Sequence, residues 1–338
     1  MAHLVRWEGV VLGLIAAAII VVALRRDSLL PVLAFLAGLA LFALPYGVFL
    51  YRNTGSVLSP KTMLTQLHAA AIDATASDKD LDYIRQDKRI TDVVISSEQD
   101  AIENLYGIGK LIGDLREIHH VNAVRLRSLK FNYEPAVYTR AVIDRLGELN
   151  RLAVVNPLRL EIETQFLHSS EIEQIHDDRI KALHNKGITV YNNTPLLANI
   201  NDHAEEIHRL AFNCRKIGLE FHHLYVAGLP LQKDWSKKHP IDISTVIDIA
   251  TRVRKDGSGR EIPRYIILTE LGEVDFGLTS KLSEEKGRMA LKLLPYTLDY
   301  FKGMDAAYDW PQQVRIDTDG KPILPVAGLA NNTDFLMA

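Results

Sequence analysis

Short apolar runs alternate with longer amphipathic segments through the middle of the chain, and this alternation most constrains the fold. The apolar runs predict strands at 92–96, 123–128, 158–164, 187–191 and 220–226. Helical spacing is found in the intervening and following segments, at 101–118, 135–150, 171–185, 204–217 and 246–254. Single helices between successive strands are typical of parallel βαβ units, which form either a barrel or an open doubly wound sheet. No G-x-G-x-x-G sequence follows these strands, which disfavours a dinucleotide-binding sheet.

The first 51 residues are almost wholly apolar. Two uncharged segments, 10–24 and 29–51, are separated by the charged residues 25–27. Because about 20 apolar residues span a bilayer, we expect two transmembrane helices in 1–52 and an integral membrane protein with the lipid bilayer as a partner. A cleaved signal peptide is the alternative for the first segment, but Leu-Arg-Arg-Asp is a poor cleavage site. Basic residues on the two sides are too similar in number to fix the orientation, and a cytoplasmic soluble domain is the preferred interpretation.

The charge balance limits the class of partner. Lys and Arg number 39 and Asp and Glu number 42, which gives a formal net charge of −3. Phosphate backbones are bound by clustered cations, and no global basic face is expected from this composition. The sequence therefore predicts no nucleic-acid partner.

The sequence contains one cysteine, Cys214, which lies in a segment with helical spacing. One thiol can neither form an intrachain disulfide nor hold an iron–sulfur cluster unaided. Free cysteine is most often a small buried hydrophobe, and we interpret Cys214 in that way.

Several predicted strands end in polar residues. These residues are Ser96, Ser97, Ser128, His168, Asn192 and Asn193. Sites in barrel folds lie at the carboxyl ends of the strands, so the group indicates a binding site there. Helix capping is the alternative role for each residue taken singly.

Five segments of the chain carry a longer pattern. They are Leu81–Arg85 with Thr91–Ser96, Leu115–Ser128, Glu163–Ile172, Lys186–Leu197 with Asn201 and Asp202, and Gly257–Tyr265. The third is similar to an H-F-N-H-x-N-E-I segment, and the fourth to a G-x-x-V-x-N-Q-x-x-L-L…N-D block. In their order along residues 81–300 these segments resemble the lysine 2,3-aminomutase family of radical S-adenosylmethionine proteins.

This resemblance implies an α/β fold with a partial parallel (βα) barrel of the radical S-adenosylmethionine type. It implies three family cofactors, a 4Fe–4S cluster, S-adenosylmethionine and pyridoxal phosphate, and an isomerase reaction that moves an amino group between adjacent carbons. The six polar strand-end residues would then form a pocket like that for S-adenosylmethionine. We expect the chain to be divided into transmembrane helices at 1–52, a linker at 53–80, an aminomutase-like barrel portion at 81–300 and a C-terminal extension at 301–338.

The sequence departs from the family pattern at the positions that bind the cofactors and the substrate in the family. It contains no C-x-x-x-C-x-x-C motif, and the family's S-G-G-D loop reads Ser96-Ser-Glu-Gln-Asp100. The lysine that forms the pyridoxal phosphate imine would fall at Ser258 or Arg260, and arginine cannot form that imine. The substrate-binding acidic residue after the 220–226 strand is replaced by Gly228. We therefore predict no catalytic residue and no cofactor for this chain alone.

Other polar clusters are interpreted as structural. His222 and His223 are adjacent, and adjacent strand residues point to opposite faces, so they are not expected to share a metal ion. No metal site is predicted. Late carboxylates, including Glu273 and Asp275, are expected to form a solvated rim.

Three functional hypotheses follow. In the first, the chain is a membrane-anchored family member without autonomous radical activity, which acts as a binding or regulatory module for a small amine or nucleotide. In the second, it is a subunit of an aminomutase-type isomerase whose cluster is supplied by a protein partner. In the third, it is a truncated or rearranged relative. A homo-oligomer is an open possibility in each.

Overall fold

The computed structural model of the chain describes residues 69–98, 100–150, 158–277, 279–285, 288–303, 308–326 and 328–330. All of these residues lie in one compact unit, Leu58–Ala338. The strands and helices below are numbered in chain order within the described residues.

The described strands form three sheets. The strands are β1 (Ala69–Asp73), β2 (Asp92–Ser96), β3 (Ala123–Arg127), β4 (Arg159–Thr164), β5 (Thr189–Pro195), β6 (Glu220–Ala227), β7 (Ile241–Asp242), β8 (Arg264–Thr269), β9 (Gly272–Asp275), β10 (Ser280–Glu285), β11 (Arg288–Leu293), β12 (Arg315–Ile316), β13 (Pro322–Pro325) and β14 (Leu329–Ala330). The main sheet has the order β1-β2-β3-β4-β5-β6-β8-β9. Its strands are parallel up to β8, and β9 is antiparallel to β8.

Helices connect most of these parallel strands. They are α1 (Asp78–Gln86), α2 (Leu105–Arg116), α3 (Lys130–Tyr133), α4 (Arg140–Leu149), α5 (Gln174–His184), α6 (Ala204–Ile217), α7 (Pro230–Trp235), α8 (Ile243–Asp256) and α9 (Leu298–Lys302). Helix α6 matches its predicted bounds and ends at Gly218, whose left-handed φ of 84° favours glycine.

The strand order decides between the two arrangements that the sequence left open, a barrel and an open doubly wound sheet. Successive strands are spatial neighbours from β1 to β6, and the next one in the main sheet is β8. A doubly wound sheet reverses its strand order near the middle, and this sheet does not. The main sheet therefore fits the expected partial (βα) barrel, in which one face is covered by helices.

The helix-covered face of the main sheet is apolar. Val124 and Leu126 on β3 and Ile162 on β4 are fully buried. They lie in one core with helix residues such as Leu111 and Leu146. The opposite face carries the alternate residues of the same strands, and many of those are charged or polar. The period of two in the sequence thus separates a packing face from a polar face.

Residues 69–80 contribute to the fold, although the sequence placed them in a linker. Ala69–Asp73 pairs along its whole length with β2, in register from Ala69 with Asp92 to Asp73 with Ser96. The segment Ala-Ala-Ala-Ile-Asp has small side chains and a weak strand pattern, so its pairing depends on a neighbour that the local sequence does not reveal. The first described strand therefore begins at Ala69, inside the segment that was predicted to be a linker.

The C-terminal part forms a separate antiparallel sheet of order β10-β11-β13-β12, and β14 pairs with β7. Aromatic side chains beyond residue 300 pack on one another. The Phe301 and Tyr308 rings are stacked at 4.8 Å, and Trp310 meets Phe301 edge-on at 5.1 Å. Phe301 and Tyr308 belong to the same buried core as the main-sheet residues, so residues beyond 300 are part of the folded unit.

The membrane assignment is corrected. The predicted transmembrane segments at 10–24 and 29–51 lie outside the described residues. Within the described ranges, no helix has the length and the apolar character needed to cross a bilayer. The longest helices there, α6 and α8, have 14 residues each and are amphipathic, whereas about 20 apolar residues are required. The described part of the chain therefore does not support the assignment as an integral membrane protein.

Candidate functional site

The face of the main sheet that lies away from the helices carries the candidate site. We call it the polar face and define it by Arg125, Arg127, Glu161, Glu163, Tyr191, Asn193, His223, Tyr225 and Glu273. Strand register places these side chains together, because Arg125 is opposite Glu161, and Arg127 is opposite Glu163. On the next strands, Asn193 is opposite His223.

Ion pairs join β3 to β4 across the polar face. The Arg125 guanidinium lies 3.0 Å from Glu161 Oε2 and 3.7 Å from Glu163 Oε2. Arg127 Nε lies 2.8 Å from Glu163 Oε1. Burial alone raises the pKa of Glu163, but Arg127 and Arg125 outweigh it and hold that pKa below its ordinary value. Glu163 is therefore ionised, and both glutamates are ion-paired with arginines, although each is less than 10% exposed as a residue.

Planar groups continue across the sheet from this ion-pair network. The Arg125 guanidinium lies 4.7 Å from the centre of the Tyr191 ring. The Tyr191 ring lies 5.2 Å from that of His222, and the His222 and His223 rings are stacked at 3.8 Å. This run connects β3, β5 and β6 on one face.

The expectation that His222 and His223 lie on opposite faces is wrong. A register shift between Asn192 and Asn193 places one extra residue in β6, and the two histidine rings stack with an angle of 22° between them. Lone pairs of stacked rings run in parallel and do not converge on one ion. Within the described residues, no group of three His, Cys, Asp or Glu side chains has metal-binding geometry.

The two histidines are neutral at pH 7. Burial, followed by the Arg125 charge, lowers the pKa of His222 to about 4. Burial, followed by His222, lowers the pKa of His223 to about 2. His223 is 5% exposed, and neither of its ring nitrogens has a hydrogen-bond partner within the described structure. Buried polar atoms of this kind require an explanation, such as a bound water or ligand.

Glu273 on β9 closes the polar face beside β8. It accepts a short hydrogen bond from the Tyr225 hydroxyl through Oε1. Its Oε2 lies 3.9 Å from His223 Nδ1, which is beyond hydrogen-bond distance. Burial and then the Glu163 charge would disfavour ionisation, while the Tyr225 hydroxyl favours it, and the pKa of Glu273 is raised overall. The solvated-rim interpretation of Glu273 is therefore corrected.

Two of the predicted site residues, Ser96 and Ser97, lie at the carboxyl end of β2, which is paired with β1 and β3. Ser96 is the last residue of β2, and its Oγ lies 3.5 Å from the Ile72 carbonyl oxygen. Ser97 follows it and is half-buried. Whether either residue binds a cofactor stays a prediction.

Next to them lies Asp100, which the sequence reasoning did not assign to the site. Its backbone has a φ of 131°, a value that a non-glycine residue rarely adopts. The carboxylate accepts hydrogen bonds from the backbone N–H groups of Ile102 at 3.1 Å and Lys130 at 3.0 Å. Burial raises its pKa. Ser128, fully buried beside it, donates its backbone N–H to the Glu163 carbonyl at 2.8 Å.

His168 and Glu206 meet at the carboxyl end of β4. His168 Nε2 lies 3.2 Å from Glu206 Oε2, and the Ser169 N–H donates to Glu206 Oε1 at 2.6 Å. Glu206 comes from the first turn of α6 and is 7% exposed. Glu206 is one charged residue of an amphipathic helix, and the sequence gave no signal for these contacts because Ser169 lies 37 residues away from it.

Asn192 and Asn193 lie on opposite faces of β5. Asn192 Oδ1 accepts from the Phe166 N–H at 2.7 Å, and its Nδ2 donates to Thr194 Oγ1 at 2.8 Å. Asn193 points to the polar face beside Glu163, is 4% exposed, and its Oδ1 has no hydrogen-bond partner in the described parts of the chain. The geometry thus gives Asn192 a role in holding the β4 loop and leaves Asn193 able to accept a further hydrogen bond.

The described residues that were considered as ligands do not supply the thiolates and the amine that the family cofactors require. Cys214 is fully buried in α6, and burial raises the pKa of its thiol, so it is not a cluster ligand. The Ser258 N–H caps the local turn through Glu261 Oε2 at 2.8 Å, and Lys255 is exposed in the last turn of α8. Ser258 has no side-chain amine, and the Lys255 amine belongs to an exposed helix residue and not to the polar face as defined above.

Gly228 stands where the resemblance implies an acidic residue, and the structure leaves no room for a side chain there. It follows β6 with a φ of 101°, and a Cβ atom there would lie 1.9 Å from the Leu268 carbonyl oxygen. No acidic side chain fits at this position on this backbone. Any carboxylate that binds a ligand on the polar face must come from another residue.

The chain is similar in sequence to several curated proteins. It is 27% identical over 190 residues to the L-lysine 2,3-aminomutase of Clostridium subterminale, covering 56% of this chain and 43% of that protein. It is 25% identical over 185 residues to the enzyme of the same name from Bacillus subtilis (strain 168), covering 55% of this chain and 37% of that protein. For the Acetoanaerobium sticklandii enzyme of that name, the identity is 24% over 198 residues, with coverages of 59% and 45%.

These matches agree with the partial (βα) barrel, which is the fold that the resemblance implies. The chain spans less than half the length of each of these three relatives. No family model matches the chain. Several matches to proteins of one name, together with a sheet of the expected type, relate this chain to the L-lysine 2,3-aminomutase family.

Proposed function

We propose that this chain is an aminomutase-type half-barrel that binds a small polar ligand, an amino acid or a nucleoside-like molecule, on its polar face. It does so without carrying out radical chemistry by itself. The observation that supports the proposal best is the set of buried polar atoms on that face that lack partners, Asn193 Oδ1 and both ring nitrogens of His223.

Burying polar atoms without partners costs free energy, and native folds avoid it. Asn193 and His223 lie opposite each other on neighbouring strands, so one bound molecule reaches both. The ion pairs of Arg125 and Arg127 hold this part of the sheet in a fixed arrangement. A preorganised polar surface with unmet hydrogen-bonding capacity favours a binding role.

The absence of autonomous radical chemistry is proposed from the residues themselves. The sequence supplies one cysteine, and that thiol is enclosed in α6. Iron–sulfur clusters are held by several thiolates. The position that holds an acid in the family is Gly228, where side-chain atoms do not fit.

The experiment measures ligand and iron binding with the purified full-length chain. Isothermal titration calorimetry with L-lysine and with S-adenosylmethionine is expected to show saturable binding of at least one of them. We expect Asn193→Ala to weaken that binding by about tenfold or more. Arg140→Ala, whose side chain is 97% exposed, is the control and should bind like the wild type. No binding of either compound contradicts the binding role.

Anaerobic reconstitution with iron and sulfide tests the second half of the proposal. We expect no stoichiometric iron and no visible charge-transfer absorbance. A full cluster on this chain alone contradicts the proposal.

The second candidate is a subunit that receives its cluster from a protein partner. The observation in its favour is the coverage, since the chain matches under half the length of each of the three relatives described above. Copurification of a cysteine-containing partner that restores an iron–sulfur spectrum would favour this candidate.

A further inference from the structure

We propose that Ser170, His168 and Glu206 act as nucleophile, general base and orienting group in the hydrolysis of small esters with a good leaving group. The first two lie in the loop that follows β4, and the third lies in the first turn of α6. Ser170 and His168 are the catalytic residues, and Glu206 is a positioning residue. The proposal does not depend on the ligand of the polar face.

Two contacts join the three side chains in a row. Ser170 Oγ lies 2.7 Å from His168 Nδ1, and His168 Nε2 lies 3.2 Å from Glu206 Oε2. A hydroxyl within hydrogen-bond reach of a base, with that base oriented by a third group, is the arrangement that activates a nucleophile. The two ring nitrogens exchange the places they take in the serine protease triad. The chemistry permits this exchange, because either nitrogen is a base when the other carries the proton.

The tautomer of His168 is the one that a general base requires. Its Nδ1 accepts a hydrogen bond from the Ser170 backbone N–H at 3.2 Å, so this nitrogen has a lone pair and no proton. The proton therefore lies on Nε2, which donates it to Glu206. The Ser170 hydroxyl then donates to Nδ1, and this hydrogen bond is the path by which its proton leaves.

The loop that carries Ser170 is held in place on both sides. Glu206 Oε1 accepts from the Ser169 N–H at 2.6 Å, and Asn201 Nδ2 donates to the Leu167 carbonyl oxygen at 2.9 Å. Glu206 is 7% exposed, whereas Ser170 is exposed to solvent. A fixed loop with an accessible hydroxyl presents the nucleophile without a large loss of conformational entropy in the reaction.

The backbone around Ser170 limits the class of substrate. The N–H groups of residues 169–171 already donate, to the Glu206 carboxylate and to the side chain and carbonyl oxygen of His168. These groups are therefore engaged and do not form an oxyanion hole, which is usually the largest source of rate in acyl transfer. The substrate has to supply its own reactivity, so we infer an ester with a good leaving group and a modest rate.

The reaction has two balanced steps. Ser170 Oγ forms a bond to the ester carbonyl carbon while its proton passes to His168 Nδ1. The bond from that carbon to the leaving oxygen breaks, and the departing alcohol takes the proton from Nδ1. Water then attacks the acyl-serine with the same base, which releases the carboxylic acid and restores Ser170.

A fluorophosphonate probe tests the nucleophile in the purified full-length chain. We expect the probe to form a covalent bond to Ser170 with loss of fluoride, and mass spectrometry of the digest locates it. Ser170→Ala should lose this label and hydrolyse p-nitrophenyl acetate at least about tenfold more slowly. Ser244→Ala, at an exposed serine in the first turn of α8, is the matched control and should behave like the wild type.

The role of the base is tested in His168→Gln, which should slow the labelling of Ser170 by about 100-fold. Circular dichroism confirms that each variant is folded. Ser170→Ala removes only an exposed hydroxyl, so it keeps the test decisive if His168→Gln does not fold. Labelling of Ser170 at the wild-type rate in folded His168→Gln would overturn the proposal. Absence of label at Ser170 in the wild type would show that these contacts only cap the loop, and would overturn it as well.

The positioning role of Glu206 has a spectroscopic readout. Nitrogen-15 shifts of the His168 ring report which nitrogen carries the proton. In the wild type we expect the proton on Nε2. Glu206→Gln can still accept from the Ser169 N–H, but its amide can donate to Nε2 and favour the other tautomer. We expect that variant to gain the Nδ1-protonated form and to label more slowly. An unchanged tautomer and labelling rate would overturn the positioning role.

Discussion

Gly228 shows how one backbone conformation limits the chemistry of the polar face. Its φ of 101° and the 1.9 Å approach of the Leu268 carbonyl oxygen to a Cβ position leave room for glycine alone. The residue sits directly after β6, at the carboxyl end of that strand. The local sequence Ala-Gly-Leu-Pro shows the glycine but not the carbonyl beside it.

We predict that Gly228→Ala lowers the free energy of unfolding by about 2–4 kcal/mol, because it adds backbone strain and a steric clash. Urea unfolding measures the change. Gly277→Ala is the matched control, since Gly277 has the same φ of 101° with nothing within 4 Å of its Cβ position. That control should show the strain alone, and a loss as large as that of Gly228→Ala would contradict the clash.

His223 gives a prediction on pH. Its pKa is about 2 in the folded protein, mainly through burial, whereas an unfolded histidine titrates near its ordinary value. The unfolded state therefore binds the proton first as the pH falls, and stability declines below the ordinary pKa of about 6.5. At pH 5 this costs about 2 kcal/mol relative to neutral pH.

The measurement is urea unfolding of the wild type and His223→Gln at pH 7.5 and pH 5. The variant should lose less stability on acidification than the wild type. His203→Gln, with a side chain 75% exposed, is the control and should lose as much as the wild type. An equal acid sensitivity in His223→Gln would contradict the prediction.

At the scale of elements, β5 shows why a strand can extend beyond its apolar pattern. The sequence predicted a strand at 187–191, and the structure continues it through Asn192, Asn193 and Thr194 to Pro195. These polar side chains are tolerated because Asn192 and Thr194 hydrogen-bond the backbone of Phe166. The partners come from the loop after β4, so no local rule predicts the extension.

We expect Asn192→Ala to destabilise the fold by about 1–3 kcal/mol, because it leaves the Phe166 N–H unpaired in a buried position. The free energy of unfolding gives the size of the effect, and faster hydrogen exchange at the Phe166 amide locates it. Asn185→Ala, at an exposed position after α5, is the control and should change stability by less than about 0.5 kcal/mol. Unchanged exchange at Phe166 would contradict the assigned contact.

For the whole molecule, the main sheet and the C-terminal antiparallel sheet are expected to differ in stability. The central strands β3, β4 and β5 are paired on both sides and covered by helices on one face. Strand β12 contributes two exposed residues and lies at an edge of the C-terminal sheet. Local opening is easiest where few apolar contacts are lost.

We therefore predict that amides in β3–β5 exchange most slowly with deuterium, and that those in β12 and β13 exchange earlier under native conditions. Hydrogen–deuterium exchange with mass spectrometry resolves the two sets of peptides. Equal protection of both sheets would contradict this division of the molecule.

Much of the fold could be predicted from local patterns, while the site could be predicted only in part. The alternation in Arg-Leu-Glu-Ile-Glu predicted β4 and its two faces, because strand geometry fixes which side chains share a face. It did not predict that Glu161 and Glu163 would be buried by arginines of the strand before them. Stacking of His222 on His223 was missed for a related reason, since the bulge arises from pairing with β5.

The sequence by itself determined the order of the five predicted strands and their helices, the helix bounds of α6 and the polar residues at the strand ends, because these depend on local period and capping. It also carried the family resemblance. Only the tertiary structure decided that the sheet is singly wound, that Glu273 lies beside Tyr225, and that Gly228 has no room for a side chain. Each of these depends on atoms brought together from distant parts of the chain, and local sequence does not encode which partner approaches.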